Sequence, residues 1–328
     1  MVPHKYPSHP ATERPSYQLD ELLHPSPAVF DVVIVGGGPA GLSAALVLGR
    51  CRRKVVLFDT GRPRNAASRH LHGYLTRDGT PPLELLRLGR EELKPYSIET
   101  RDVEVTEITC ASDGFDVILA TGERVLSQTV LVATGVRDHV PDIPGIRECY
   151  GVSVHHCPYC DGWESRDATI VVIGHGASVT GLGLSLITWS NRVIVCSNGR
   201  RLGSRHRSQL AQHGIAVYER PIERVDHEQG QVRQVVLTSG ETVPCERIFF
   251  SAGQSPQSDL PRKLGCDTTY KGIVKTDHLG KTRVPGLYVV GDASRDVQFV
   301  VVAAAEGAKA AVAINKALQA RSGLAVQA

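Results

Sequence analysis

The six residues Gly36-Gly37-Gly38-Pro39-Ala40-Gly41 constrain this chain more than any other stretch. They follow a short apolar run, Val32 to Val35, and precede a small-residue, helix-forming run from Leu42 to Gly49. Glycines spaced G-x-G-x-x-G between a buried strand and a helix make a phosphate turn. They allow the tight turn, the approach of a pyrophosphate to bare backbone, and close packing of helix on strand. The helix N-terminus adds N–H donors and a partial positive charge. A second strand, Lys54 to Phe58, ends at Asp59, placed where an acid accepts bonds from a ribose. The stretch predicts a strand–helix–strand nucleotide-binding unit with a parallel sheet.

The pattern occurs twice. Thr169 to Ile173 reads as a buried strand and runs into Gly174-His175-Gly176-Ala177-Ser178-Val179, with Val179 at the third small position. A helix to about Thr188 and a strand Val193–Cys196 follow, so the chain predicts two Rossmann-type α/β domains. Between the copies, Gly61 to Pro82 is a loop rich in Arg, His and Gly, and 82–93 is an amphipathic helix. Residues 97–132 alternate as a β-meander ending in the turn Ala133-Thr134-Gly135. After the second copy come strands at 214–218 and 232–237 and a strand running into Ala252-Gly253. The end carries a strand closing on Gly291-Asp292 and an Ala-rich helix over 300–318.

A chain of 328 residues holds two cores of this size. A net charge of +3, dispersed along the sequence, argues against a nucleic-acid partner. No apolar run approaches the roughly 18 residues of a membrane span. The first thirty residues carry no apolar secretory core; they are Pro-rich and predict an extended arm over 1–29 with one short helix near 18–23. Eight cysteines with one close pair suit a reducing compartment, and a cytoplasmic location is expected.

That close pair is Cys157-Pro158-Tyr159-Cys160, followed by Asp161-Gly162-Trp163. Taken alone it fits a redox dithiol, with Asp161 as proton donor or acceptor, or half of a zinc site completed by Cys149, His155 or His156. The dinucleotide-binding frame around it favours the redox pair, and no metal is expected. His155 and His156 are candidate bases or thiolate stabilisers, one of them structural. His70 and His72 fit a solvated loop, Trp163 and Trp189 a core or interface. Cys51, Cys110, Cys149, Cys196, Cys245 and Cys266 read as ordinary thiols.

With the glycine turn, Ala133-Thr134-Gly135, Cys157-Pro-Tyr-Cys160-Asp161-Gly162 and Gly291-Asp292 in this order, residues 30–318 resemble the low-molecular-weight thioredoxin reductases. Beyond the arm at 1–29, the resemblance implies an FAD domain in two segments (30–138 and 250–328) and an inserted NAD(P)H-type domain at 139–249 carrying the redox pair. It implies hinges near Gly135–Pro144 and Phe250–Gly253, and a homodimer. FAD would be held by Gly36, Gly38, Pro39, Ala40, Gly41, Asp59, Asn65, Ala133, Thr134, Gly135, Gly291, Asp292, Gln298 and Phe299. Cys160 would face the flavin, Cys157 would exchange with an external disulfide, and Asp161 would move the proton. The implied partner is a thioredoxin-like protein or a small disulfide or dithiol.

Departures from that family accompany the match. The His-Arg-Arg run that grips the NADPH 2′-phosphate is replaced by Ser197-Asn198-Gly199, with Arg200 and Arg201 after it. Thr180, Gly181 and Leu182 stand where acids usually follow the second glycine turn, and Gln298-Phe299 where Arg-Gln is usual. NADPH is therefore expected to bind weakly or not at all. The chain is similar to a side branch of dithiol oxidases and reductase-like flavoproteins that do not use pyridine nucleotides. Three activities follow: a disulfide oxidoreductase, a dithiol oxidase passing electrons to oxygen, and a redox sensor or zinc-stapled binding protein without turnover.

Overall fold

The computed structural model describes residues 28–294 and 297–324. The arm expected at 1–29, with its short helix, falls outside the described residues apart from Ala28 and Val29. Strands β1 (Val29–Val35), β2 (Val55–Phe58), β3 (Glu99–Arg101), β4 (Val105–Ala111), β5 (Gly114–Leu119), β6 (Arg124–Val132) and β17 (Leu287–Val289) form one sheet. Its order is β3-β2-β1-β6-β5-β4, with β17 also pairing β6. The apolar runs of β1 and β2 are explained by cover on both faces. On one side lie helices α1 (Pro39–Arg50) and the C-terminal Val300–Arg321; the other side holds Phe115, Val117 and Leu119 of β5. Val32, Val33 and Ile34 are fully buried, each side chain contributing about 1.5–3 kcal/mol.

The meander is shorter than the alternation predicts. Only β4, β5 and β6 run antiparallel; β3 pairs parallel with β2 as the sheet's edge strand. Three residues, Glu99 and Thr100 exposed and Arg101 half-buried, cannot declare a direction by pattern alone.

The second sheet, ordered β11-β10-β9-β15-β8, is wholly parallel: β8 (Val154–His155), β9 (Ile170–Ile173), β10 (Val193–Cys196), β11 (Ala216–Tyr218) and β15 (Arg247–Phe250). Helix Gly176–Leu186 packs on one face and an antiparallel sheet of β12 (Ile222–Glu228), β13 (Gln231–Leu237) and β14 (Thr242–Pro244) on the other. Strands β12 and β14 escape the sequence reading because they bury so few side chains, Ile222 and Val225 in one and Val243 in the other. The two crossings between the sheets lie side by side as β7 (Val136–Asp138) and β16 (Gln254–Pro256), paired antiparallel. Strand β8 sets Val154 and His155 beside Ile248 and Phe249 of β15, which delivers the cysteine pair to the carboxyl edge of that sheet.

The glycine at 307 has no room for a side chain: a Cβ there would strike the backbone of Ala40. Gly307→Val is expected to cost about 1–3 kcal/mol through overpacking, read as a lower urea midpoint at unchanged slope. A midpoint equal to the parent's would contradict this contact between helices.

Candidate active site

The carboxyl ends of β1, β6 and β17 open onto a single cavity of about 770 Å³. Its walls include Gly36, Gly38, Pro39, Ala40, Asp59, Asn65, Ala133, Thr134, Gly135, Gly291, Asp292, Gln298 and Phe299, together with Cys157, Cys160 and Asp161. Of the residues expected to hold the cofactor, only Gly41 is off this wall. A Cβ on Gly41 would overlap the Gly36 carbonyl, so its part is to let the helix close on the turn. Gly36 has φ +110°, and a Cβ there would strike the Ala133 carbonyl. Gly38 differs: a Cβ on it would meet no protein atom within 4 Å. It caps α1 with bare backbone and no side-chain bond, which leaves the first helical N–H groups for an anion.

Asp59 lines the cavity with one of its two oxygens already engaged. Arg90, from helix α2 (Pro82–Leu93), donates to its Oδ2 at 2.5 Å and holds Asp102 at 3.1 Å. Asp292 sits on the turn after β17, where the Gly291 N–H donates to Glu306 Oε2 at 2.8 Å. Burial pushes the Asp292 carboxyl above the ordinary carboxylate range, with Asp138 and Glu306 adding to the rise and Arg64 opposing it.

Arg64 is the hub that the sequence reading passed over. Its Nε and Nη2 grip Asp138 at 2.7 and 2.6 Å. Its Nη1 reaches Asp292 Oδ2 at 2.8 Å and Gln298 Oε1 at 2.7 Å. Nη2 also lies 3.1 Å from His156 Nε2, and His156 Nδ1 lies 3.1 Å from the Tyr150 hydroxyl. Gln254 of β16 donates to Asp138 at 3.2 Å and exchanges bonds with Gln298 at 2.8 Å. Burial disfavours the Asp138 carboxylate, but the opposing pull of its partners, the Arg64 bond first, holds the group below its usual range. Asp138 and Asp292 in turn outweigh burial at Arg64 and raise its pKa. Nothing in a loop of Arg, His and Gly marks this one guanidinium; its partners come from positions 138, 156, 292 and 298.

Cys157 and Cys160 are joined in a disulfide with Cα atoms 5.3 Å apart, across the one-turn helix Pro158–Asp161 that Cys157 caps. Asp161 is the last residue of that helix, and its Oδ1 lies 3.2 Å from Nδ1 of the buried His155, whose ring packs on Phe249. His156 is half-buried, and its pKa is depressed by burial and by the Arg64 cation, against the pull of Asp138. His72 departs from the solvated-loop expectation: it stands between Asp78 at 3.5 Å and Glu164 at 3.6 Å, while His70 is exposed on the cavity rim. Trp163 is 65% exposed with the Arg166 guanidinium over its ring, so it is not core. Trp189 is half-buried, edge-on to Tyr159, which in turn meets Phe299. Cys51 and Cys110 are exposed; Cys149, Cys196, Cys245 and Cys266 are buried, and burial pushes the Cys196 and Cys245 thiols up to about 12. Among the described residues, no group of three or more His, Cys, Asp or Glu is placed to hold a metal ion.

At the second glycine turn, Val179 is fully buried and its Cβ stands 3.3 Å from where a Cβ on Gly174 would lie. The Ser197 hydroxyl donates to the Arg200 carbonyl, and Asn198 Oδ1 accepts the Ile222 N–H at 2.8 Å. Arg200 and Arg201 are exposed on the following loop.

A parallel nucleotide-binding sheet, a bare glycine turn and a cysteine disulfide on one cavity define a nucleotide-linked disulfide oxidoreductase. Comparison with known proteins agrees. The family model for pyridine nucleotide-disulphide oxidoreductases matches residues 30–307. A protein of Arthroderma benhamiae named "Probable thioredoxin reductase" is 33% identical over 301 residues, covering 81% of this chain and 74% of its own length. Thioredoxin reductase sirT of Leptosphaeria maculans is 28% identical over 309 residues, 88% of this chain and 94% of its own. The crystal structure of HlmI superposes with a TM-score of 0.87 at 38% identity, covering 90% of this chain and 94% of that one. The chain belongs to the pyridine nucleotide-disulphide oxidoreductases, as an FAD-dependent enzyme of the thioredoxin reductase type.

The residues present fit that cofactor: open space over Gly38, uncapped helical N–H groups and a partly buried carboxylate at Asp292 all face the one cavity. Gly38→Val is expected to strip FAD from the purified protein, seen as loss of its visible absorbance, with unchanged far-UV circular dichroism. A folded variant that keeps its full FAD content would show that the turn is not the binding site.

Proposed function

We propose that this chain is a dithiol/disulfide oxidoreductase in which Cys157, Cys160 and Asp161 carry the exchange. The observation that supports it best is the Cys157–Cys160 disulfide opening onto the same cavity as the glycine turn and Asp292. FAD, held between segments 30–138 and 250–328, would supply a two-electron donor and acceptor beside the pair carried by 139–249. In the oxidising direction, a thiolate of the outside dithiol attacks Cys157 Sγ and Cys160 Sγ leaves as a thiolate. The second outside thiol then attacks the mixed disulfide, freeing Cys157 and closing the product disulfide. Asp161, 3.2 Å from His155, would take up and return the protons. The reducing direction is the same sequence reversed, with Cys157 attacking an outside disulfide such as that of a thioredoxin-like protein.

NADPH is a poor donor for this enzyme in our reading. A 2′-phosphate is usually held by Arg in charge-assisted bonds. Here Ser197 and Asn198 are spent on backbone groups of their own domain, and a fully buried Val179 stands at the third small position of the second turn. That arrangement favours a second direction of flow, from a small dithiol to oxygen, over the reductase direction. The enzyme would act as a homodimer in the cytoplasm.

Cysteine variants test the roles. Cys157→Ser should leave Cys160 as a thiolate against the flavin and produce a broad long-wavelength absorbance band. Cys160→Ser should show none. A band in Cys160→Ser alone would exchange the two assignments.

A further inference from the structure

Proton bookkeeping around Arg64 has only one solution. A guanidinium carries donors and no acceptor, so His156 Nε2, 3.1 Å from Arg64 Nη2, must accept. An accepting Nε2 bears no proton, so the neutral ring carries its proton on Nδ1, and Nδ1 donates to the Tyr150 oxygen at 3.1 Å. The Tyr150 hydroxyl is then left to donate to Asp138 Oδ2 at 3.4 Å, the carboxylate that Arg64 also grips. The ring closes on itself: Arg64 to His156, His156 to Tyr150, Tyr150 to Asp138, and Asp138 back to Arg64.

The four members come from three parts of the chain. Arg64 belongs to the loop after β2, Asp138 to the crossing strand β7, and Tyr150 and His156 to the segment that carries the disulfide. His156 is bonded directly to Cys157 in sequence. Asp138 and Arg64 are mostly buried, with side chains 6% and 19% exposed. An exposed surface pair would contribute little, but a bidentate, buried one fixes geometry.

We propose that Arg64 is a positioning residue of the dithiol reaction: it pins the Cys157–Cys160 segment to the cofactor side and keeps His156 neutral with its proton on Nδ1. This rests on the reading above that Cys160 faces the flavin. The groups facing His156 are Arg64, Asp138 on β7, Tyr150, His155 and Asp161, with the Phe250 ring of β15 alongside. Arg64 and His155 oppose a charge on its ring, while Asp138 and Asp161 favour one. Taking away Arg64 leaves the Asp138 carboxylate, 3.8 Å from Nε2, without its counter-ion, so the imidazole should become easier to protonate. A cation placed next to the reactive cysteine is a different electrostatic setting from a neutral ring, so loss of Arg64 changes both the position and the charge of the site.

The test uses FAD-loaded protein with ¹⁵N-labelled histidine, the His156 signals being assigned by their loss in His156→Asn. In the parent, His156 should show a protonated Nδ1 and a bare Nε2. In Arg64→Gln its titration midpoint should rise by about one pH unit or more, a tenfold change in the ratio of charged to neutral ring. In the Cys157→Ser background, Arg64→Gln should also weaken the long-wavelength band. Arg64→Gln/Asp138→Asn removes both buried charges together and should restore thermal stability without restoring the band. A protonated Nε2 in the parent, or equal midpoints in parent and Arg64→Gln, overturns the proposal. So does a full-strength band in the double variant. Because the nitrogen signals do not depend on which cysteine faces the flavin, a failure of that assignment would appear in the band alone.

Discussion

The approach of helix α1 to the end of β1 is the contact on which the rest of the site depends. Gly36 turns the chain at positive φ beneath the Ala133 carbonyl, and Gly41 lets the helix settle on the Gly36 carbonyl. Any side chain at either position would force the helix away from the strand. With the helix seated, its N-terminus points into the cavity, and Gly307 brings the C-terminal helix down on Ala40 from the other side. The carboxyl ends of β1, β6 and β17 then converge, which is where an open parallel sheet presents a ligand site. The cysteine pair reaches the same place by separate means, through β8 and its pairing to β15.

Much of this was legible in advance, for a physical reason. A phosphate turn needs glycine at fixed spacing, a buried parallel strand needs an unbroken apolar run, and a redox pair needs two cysteines one helical turn apart. Such requirements are local, so Gly36 to Gly41, β1, β9 and Cys157–Cys160 can each be read without knowing the rest. The edge strand β3 and the thinly buried β12 and β14 carry no such local requirement, and their direction or existence depends on neighbours far along the chain. The Arg64 hub is the extreme case: its partners lie 74, 92, 228 and 234 residues away. Asp59 shows the same limit, because its engagement by Arg90 is invisible in the strand that carries it.

The two glycine turns have diverged in what surrounds them. Gly38 in the first turn faces open space within a large cavity. In the second turn, Gly176 is equally open, while Val179 is fully buried at the third small position and Ser197 and Asn198 at the end of β10 are tied to backbone groups. The polar side chains that end β10 thus serve the fold itself. Without the Arg grip, and with Val179 in the turn, each loss could weaken a 2′-phosphorylated nucleotide by about 1–3 kcal/mol, together roughly a hundredfold or more. The exposed Arg200 and Arg201 are the cations nearest in sequence that could recover part of it.

In the function proposed above, electrons enter this enzyme through Cys157–Cys160 rather than through a nicotinamide. Anaerobic titration of the FAD-loaded protein, followed by flavin absorbance, tests it most directly. Dithiothreitol should bleach the flavin readily, while NADPH or NADH at concentrations on the order of millimolar, ample for a typical nucleotide site, should do so slowly or not at all. Rapid bleaching by micromolar NADPH would contradict the account and return the second glycine turn to service.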